Sequence, residues 1–172
     1  MNHQITKEQE ILNSFLKKHN KINKILLIRV PSINYETFDI QKQKKTGYMT
    51  YQPLSITTLA ATLRNQLPHV ELKLFDAEYE TLKKMFHKNK KENILKETVE
   101  KVIKEFKPDL VGLSVVFSVG INNGFKIMQI INKINRKIMV LFGGIHCTFD
   151  YEDIIKRGAD MVFLKEADHT LP

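Results

Sequence analysis

The amino-acid sequence predicts an α/β fold: a flavodoxin-like (Rossmann-like) doubly wound sheet of five parallel strands with helices on both faces. Three observations predict it. Short apolar runs recur at 24–30, 70–75, 109–117, 138–142 and 161–164, and near-continuous runs of this kind suit strands buried on both faces. Segments with apolar residues at helical spacing lie between them. Strands alternating with helices at this spacing imply right-handed crossovers and a parallel sheet.

Size and composition set the frame. A chain of 172 residues, 42% of them hydrophobic, suits one domain with a single core. The expected division is an N-terminal helical extension over 1–22 and an α/β domain over 23–172. No apolar run approaches the roughly 18 residues of a membrane span, and the N-terminus lacks a signal-peptide core. A cytoplasmic location without a membrane partner is therefore expected. Cys147 is the only cysteine, which excludes an internal disulfide and any multi-cysteine metal or iron–sulfur site within this chain. Net charge is +8, but the lysines at 42–45 and 83–91 are not interleaved with aromatics or arginines. That pattern reads as solvated surface and argues against a nucleic-acid partner.

Taken in order, Ile5 to His19 reads as an amphipathic helix, with Ile11, Leu12, Phe15 and Leu16 on one face. Lys24 to Val30 is the first strand, ended by Pro31 and Ser32. Residues 33–52 read as a long polar loop, in which Tyr48, Met49 and Tyr51 either pack ordinarily or line a lid. Pro53 opens a helix whose stripe is Leu54, Ile56, Leu59, Ala60 and Leu63. Val70 to Phe75 is the second strand, ending in Asp76. The lysine-rich stretch 81–106 holds a helix, clearest from Glu92, with Ile94, Leu95, Thr98, Val99, Val102, Ile103 and Phe106 facing inward. Asp109 to Phe117 is the third strand. Asn122 to Arg136 is a helix with Ile127, Ile130, Ile131 and Ile134 inward, and Ile138 to Phe142 is the fourth strand. Tyr151 to Arg157 is a short helix stopped by Gly158, and Met161 to Leu164 is the fifth strand.

In such sheets ligands bind beyond the carboxyl ends of the strands, where strand order reverses. The candidates are Pro31 to Asn34, Ser114 to Ser118 and Gly143 to Thr148, which are rich in small and hydroxyl residues. Glycine lets backbone pass close to a ligand, though Gly-Gly is also a generic turn signal. Phosphate-binding glycine motifs are absent, and no acid pair ends the first strand as a phosphoacceptor site would require. His146 reads as a loop hydrogen-bonding residue, Cys147 as a small buried apolar one, and Glu166, Asp168 and His169 as solvated C-terminal residues.

Four segments carry a family resemblance: Lys24–Ser32, Gln52–Leu63, Pro108–Ser114, and Gly143–Thr148 followed by Gly158-Ala-Asp160 and Glu166. Together they resemble the cobalamin-binding domain of cobalamin-dependent radical SAM enzymes. Ser114-Val115-Val116 matches the broader cobalamin family's S-x-L with Val for Leu, and Gly143-Gly144 its glycine pair, at the family's usual gap. The family's D-x-H-x-x-G is missing, since residues 30–35 contain no histidine. The tail at 165–170 departs from the family's Gly-Glu-Gly-Glu, with Lys165 and Ala167 at the glycine positions.

The resemblance implies a base-off cobalamin without a protein histidine on cobalt. It assigns the cofactor to Ser32, Ile33, Ser114, Val116, Ser118, Gly143, Gly144, Ile145 and Glu166, with no protein metal ligand and no catalytic residue. The nucleotide tail would enter beside the third and fourth strands, with clearance from Gly143 and Gly144, and the corrin would lie near Ser32 and Ile33. On this reading Gly144→Leu fills the crevice with little effect on folding. The resemblance further implies a radical SAM catalytic domain in cis or in trans. An iron–sulfur cluster and S-adenosylmethionine would enter only with a downstream barrel, so the chain is expected to be a fragment or a solitary cofactor domain. The alternative is a non-catalytic partner-binding or regulatory flavodoxin-like domain that has lost the cofactor. Flavin or other nucleotide binding finds no aromatic-rich loop or phosphate-cradling turn.

Overall fold

The computed structural model describes residues 22–164. The helix expected over Ile5–His19 and the segment 165–172, including Glu166, lie outside the described residues. Five parallel strands form one sheet in the order β2-β1-β3-β4-β5. They are β1 (Lys24–Arg29), β2 (Glu71–Asp76), β3 (Leu110–Ser114), β4 (Met139–Gly143) and β5 (Met161–Val162). The helices are α1 (Ile40–Thr46), α2 (Leu54–Gln66), α3 (Ala77–Lys88), α4 (Ile94–Phe106), α5 (Ile121–Ile134), α6 (Ile145–Phe149) and α7 (Tyr151–Lys156). The doubly wound, flavodoxin-like fold expected from the alternation is the one observed. Among the described residues no helix is long and apolar enough to cross a membrane.

Strand pleating divides the core. Leu26, Ile28, Val111, Leu113, Val140 and Phe142 face a cluster built with α4 and α5. Ile25, Leu27, Leu110, Met139 and Leu141 face the other side, where α2 supplies Ile56, Ala60 and Leu63. Successive strand residues point to opposite faces, so both faces must be apolar, which is why these runs read as continuous. The inward residues expected of α4 are all buried. Ile127 and Ile131 of α5 are fully buried, with Ile130 and Ile134 packed against the same cluster.

Several local readings change. The polar loop at 33–52 contains α1, whose N-terminus Asp39 caps by accepting from the Lys42 N–H at 3.0 Å. Gly47, at φ +80°, ends it. A third cluster of Ile33, Phe38, Ile40, Leu82, Met85 and Ile94 anchors this segment, and its apolar residues are too sparse to show helical periodicity in sequence. The helix expected within 81–106, clearest from Glu92, is α4, and a second helix, α3, precedes it, separated where Asn89 and Asn93 adopt left-handed conformations at φ 50° and 60°. Asparagine tolerates that region better than other non-glycine residues. Leu54 is 67% exposed rather than part of the buried stripe. The Gly144 exit leads directly into α6, a helix the sequence does not announce.

The third strand stops at Ser114, short of Phe117, and a tight turn at Ser118–Gly120 leads into α5. Strand order reverses between β1 and β3, the two middle neighbours that run to opposite edges. The carboxyl ends of β1, β3 and β4 thus lie side by side: Arg29 pairs with Ser114, and Ser114 with Gly143.

Candidate functional site

A crevice of about 380 Å³ opens between α2 and the carboxyl halves of β1, β3 and β4. This lies in the roughly 300–1,000 Å³ range of small-molecule pockets. Leu27, Gly112 and Leu141 stand in register across its floor, and Ser114 and Gly143 one pleat further on. Leu54, Ser55, Thr58 and Leu59 of α2 form one wall, Phe163 borders the β5 side, and Gly144 and Ile145 close the mouth. The Ser55 and Ser114 hydroxyls lie 3.0 Å apart and bond to one another, tying the first turn of α2 to the end of β3.

The two floor glycines differ. A Cβ on Gly112 would meet Leu27 Cδ2 at 2.8 Å, so the Leu27 side chain already covers that glycine. A Cβ on Gly143 would find only Phe163 Cβ, at 3.7 Å, so the space above it is open. Gly144 plays a different part. Its φ of +109° is a conformation that side chains rarely adopt, and a Cβ there would collide with the backbone carbonyl of Val115. Gly144 is thus required by the close passage of the β4 exit over the β3 exit, where Val115 N–H also donates to Gly143 O at 2.8 Å. The expectation that Gly144→Leu leaves folding intact is corrected accordingly.

Of the residues assigned from sequence, the structure brings Ser114, Gly143, Gly144 and Ile145 together at the crevice. Ser32, Ile33, Val116 and Ser118 do not line it. Ile33 is buried in the third apolar cluster. Ser32 is half-buried, and its N–H donates to Glu78 Oε2 at 2.6 Å. Val116 is half-buried, and Ser118 is exposed in the turn before α5. Tyr48 packs edge-on against Phe38, whereas Met49 and Tyr51 are exposed. With Leu54, Phe117, Ile145 and Phe149 they form a set of exposed apolar side chains on segments that follow the carboxyl ends of β1, β3 and β4.

His146 sits on α6 rather than in a loop. Its Nε2 makes no hydrogen bond and lies 3.7 Å from Asp150 Oδ2. Cys147 is buried, and its thiol is directed to Gly143 O at 3.4 Å. Burial, followed by the nearby Asp150 charge, pushes that thiol up to about 12, so it is not a nucleophile near neutral pH. Among the described residues no group of three or more His, Cys, Asp or Glu side chains is placed to hold a metal ion.

Two polar clusters beside the crevice escaped the sequence reading. Arg29 is buried at the end of β1, with Nη1 3.1 Å from Asp76 and Nη2 2.8 Å from Glu78. Its Nη1 also donates to Tyr51 O at 2.7 Å. Glu78 in turn holds the Ser32 N–H. One guanidinium therefore ties the loop before α2 to the ends of β1 and β2. The signal was an arginine inside an otherwise apolar strand, since buried charge demands partners. Asn123 is the second case: its buried amide donates to Pro31 O and Ile33 O, both at 2.8 Å, fixing the β1 exit against α5.

Residues 45–172, more than half of the chain, match the family described as B12 binding domain. No curated protein matches the sequence. Among solved structures, a response regulator from Hahella chejuensis is similar with a TM-score of 0.50 and 15% identity, over 85% of this chain and 82% of that one. A novel cobalamin-binding protein from Desulfitobacterium hafniense DCB-2 gives a TM-score of 0.45 and 17% identity, over 86% of this chain and 55% of that one. The response regulator shows the shared fold alone.

Proposed function

The chain belongs to the B12-binding domain family, and from that premise we propose that it holds cobalamin base-off, without a histidine from this protein on cobalt, as the cofactor domain of a radical SAM methyltransferase-type enzyme. The observation that carries the cofactor reading is the apolar crevice at the strand-order reversal, with open space above Gly143. The residues fit the group. The tail would lie over Leu27 and Gly143 beside the Ser55–Ser114 hydroxyl pair, and the corrin would rest among the exposed Tyr51, Leu54, Phe117 and Ile145. Ser32, Ser118 and Glu166 remain proposed contacts. When bound, cobalamin supplies the organometallic chemistry of methyl carriage, and the chain binds and orients it.

The absence of histidine at 30–35 supports a cobalt without a protein histidine, and a nucleotide tail held in the crevice would make the mode base-off. The iron–sulfur cluster and S-adenosylmethionine would come from a radical SAM domain in cis or in trans. The exposed apolar side chains on the segments after β1, β3 and β4, with Leu54 and Ile145 at the crevice itself, favour an additional protein surface there.

Titration of the purified protein with hydroxocobalamin, read by its visible spectrum, tests the reading. The expected result is a shift to a base-off spectrum and retention of colour on desalting. No shift and no retention at high micromolar cofactor would overturn it and leave the partner-binding alternative.

A further inference from the structure

We propose that the crevice selects among cobamides by the base at the end of the nucleotide tail, accepting an apolar benzimidazole and rejecting a purine. The inference rests on the cofactor reading above and concerns only what the crevice can tolerate once a tail enters it.

The lining is chemically one-sided. Its inner surface is built from Leu27, Leu59, Leu110, Leu141 and Phe163. Among the described residues no charged or amide side chain lines it. The side-chain polar groups are three hydroxyls, on Ser55, Thr58 and Ser114. Two of the three are bonded to each other at the mouth. Thr58 lies on an exposed position of α2. The floor offers no spare backbone partner either, since β1, β3 and β4 are paired in register through Leu27, Gly112 and Leu141.

The two bases differ where that lining is most demanding. Dimethylbenzimidazole presents a hydrocarbon edge carrying two methyl groups. Adenine presents ring nitrogens and an exocyclic amine on the corresponding edge. Those groups leave water on entry and meet only the Ser55, Thr58 and Ser114 hydroxyls, too few to replace the water they lose, and an unmade hydrogen bond in an apolar site costs more than a made one returns. The methyl groups add favourable apolar contact that adenine lacks. Both effects have the same sign. The open space above Gly143 leaves room for a bicyclic base of either kind, so the discrimination is by polarity.

Equilibrium dialysis of the protein against cobalamin, an adeninyl cobamide and cobinamide, which lacks the base altogether, separates the outcomes. The expected order is cobalamin tightest, with the adeninyl form about tenfold or more weaker and cobinamide also weaker. Equal binding of the two complete cobamides, both tighter than cobinamide, overturns the selectivity and leaves cofactor binding standing. Equal binding of all three shows that the tail makes no contribution, which overturns the inference alone. Binding of none overturns the cofactor reading, and the inference with it.

Discussion

The adjacent glycines 143 and 144 have unlike roles, and only geometry separates them. Gly143 faces open crevice, while Gly144 sits at φ +109° with the Val115 backbone where a side chain would begin. Gly144→Ala is expected to lose about 3 kcal/mol or more of stability in urea unfolding, from backbone strain and a backbone collision that cannot relax cheaply. Gly143→Ala should stay within about 1 kcal/mol of the parent. In sequence the pair reads the same either way, because a letter carries no φ. Cys147 gives a second prediction at this scale. Its thiol is pushed from the ordinary 9.0 to about 12, by burial first and the Asp150 charge second. Between those values the unfolded chain releases the proton and the folded chain keeps it, so the unfolded state binds fewer protons and stability falls as pH rises. Tyr35 is shifted in the same direction, chiefly by burial. The urea midpoint should drop from pH 9 to pH 10, with about 1 kcal/mol of that loss from the thiol, and the slope should be shallower in Cys147→Ala.

At the scale of elements, the exit of β1 and the approach to α2 are held by buried polar groups rather than by apolar packing alone. Arg29 bonds Asp76, Glu78 and the Tyr51 carbonyl, and Asn123 holds Pro31 and Ile33 from α5. Arg29→Met leaves Glu78, which is only 3% exposed, without its cation. The expected cost is about 3–5 kcal/mol, because removing one partner strands a buried charge. Adding Glu78→Gln should recover part of it, and a double-mutant cycle in urea measures the coupling. If the single change costs under about 1 kcal/mol, the cluster is not the anchor described. The main elements were legible because their periodicities are strong: α4 and α5 show the inward residues that their spacing gave. What was not legible turned on isolated residues. Asn89 and Asn93 separate α3 from α4 within the lysine-rich stretch, and the single apolar Ile40 does not make α1 visible by pattern.

For the whole molecule, strand order puts the crevice where it is. Because β1 lies between β2 and β3, the helices after β1 and β3 pack on opposite faces, and the crevice opens on the α2 face beside the carboxyl ends of β1, β3 and β4. The alternation of strands and helices made that location predictable, and Ser114, Gly143, Gly144 and Ile145 do gather there. Ile33 fell outside it because the β1 exit turns into its own small core rather than toward the crevice. The central claim is that this crevice holds cobalamin. It is tested most directly by equilibrium dialysis of hydroxocobalamin against the parent protein and Gly143→Leu, whose new side chain would enter the crevice from a position with ordinary clearance. The account predicts binding by the parent and binding weakened about tenfold or more in the variant, with an unchanged unfolding midpoint. A folded variant that binds as tightly as the parent, or a parent that does not bind at all, would contradict it.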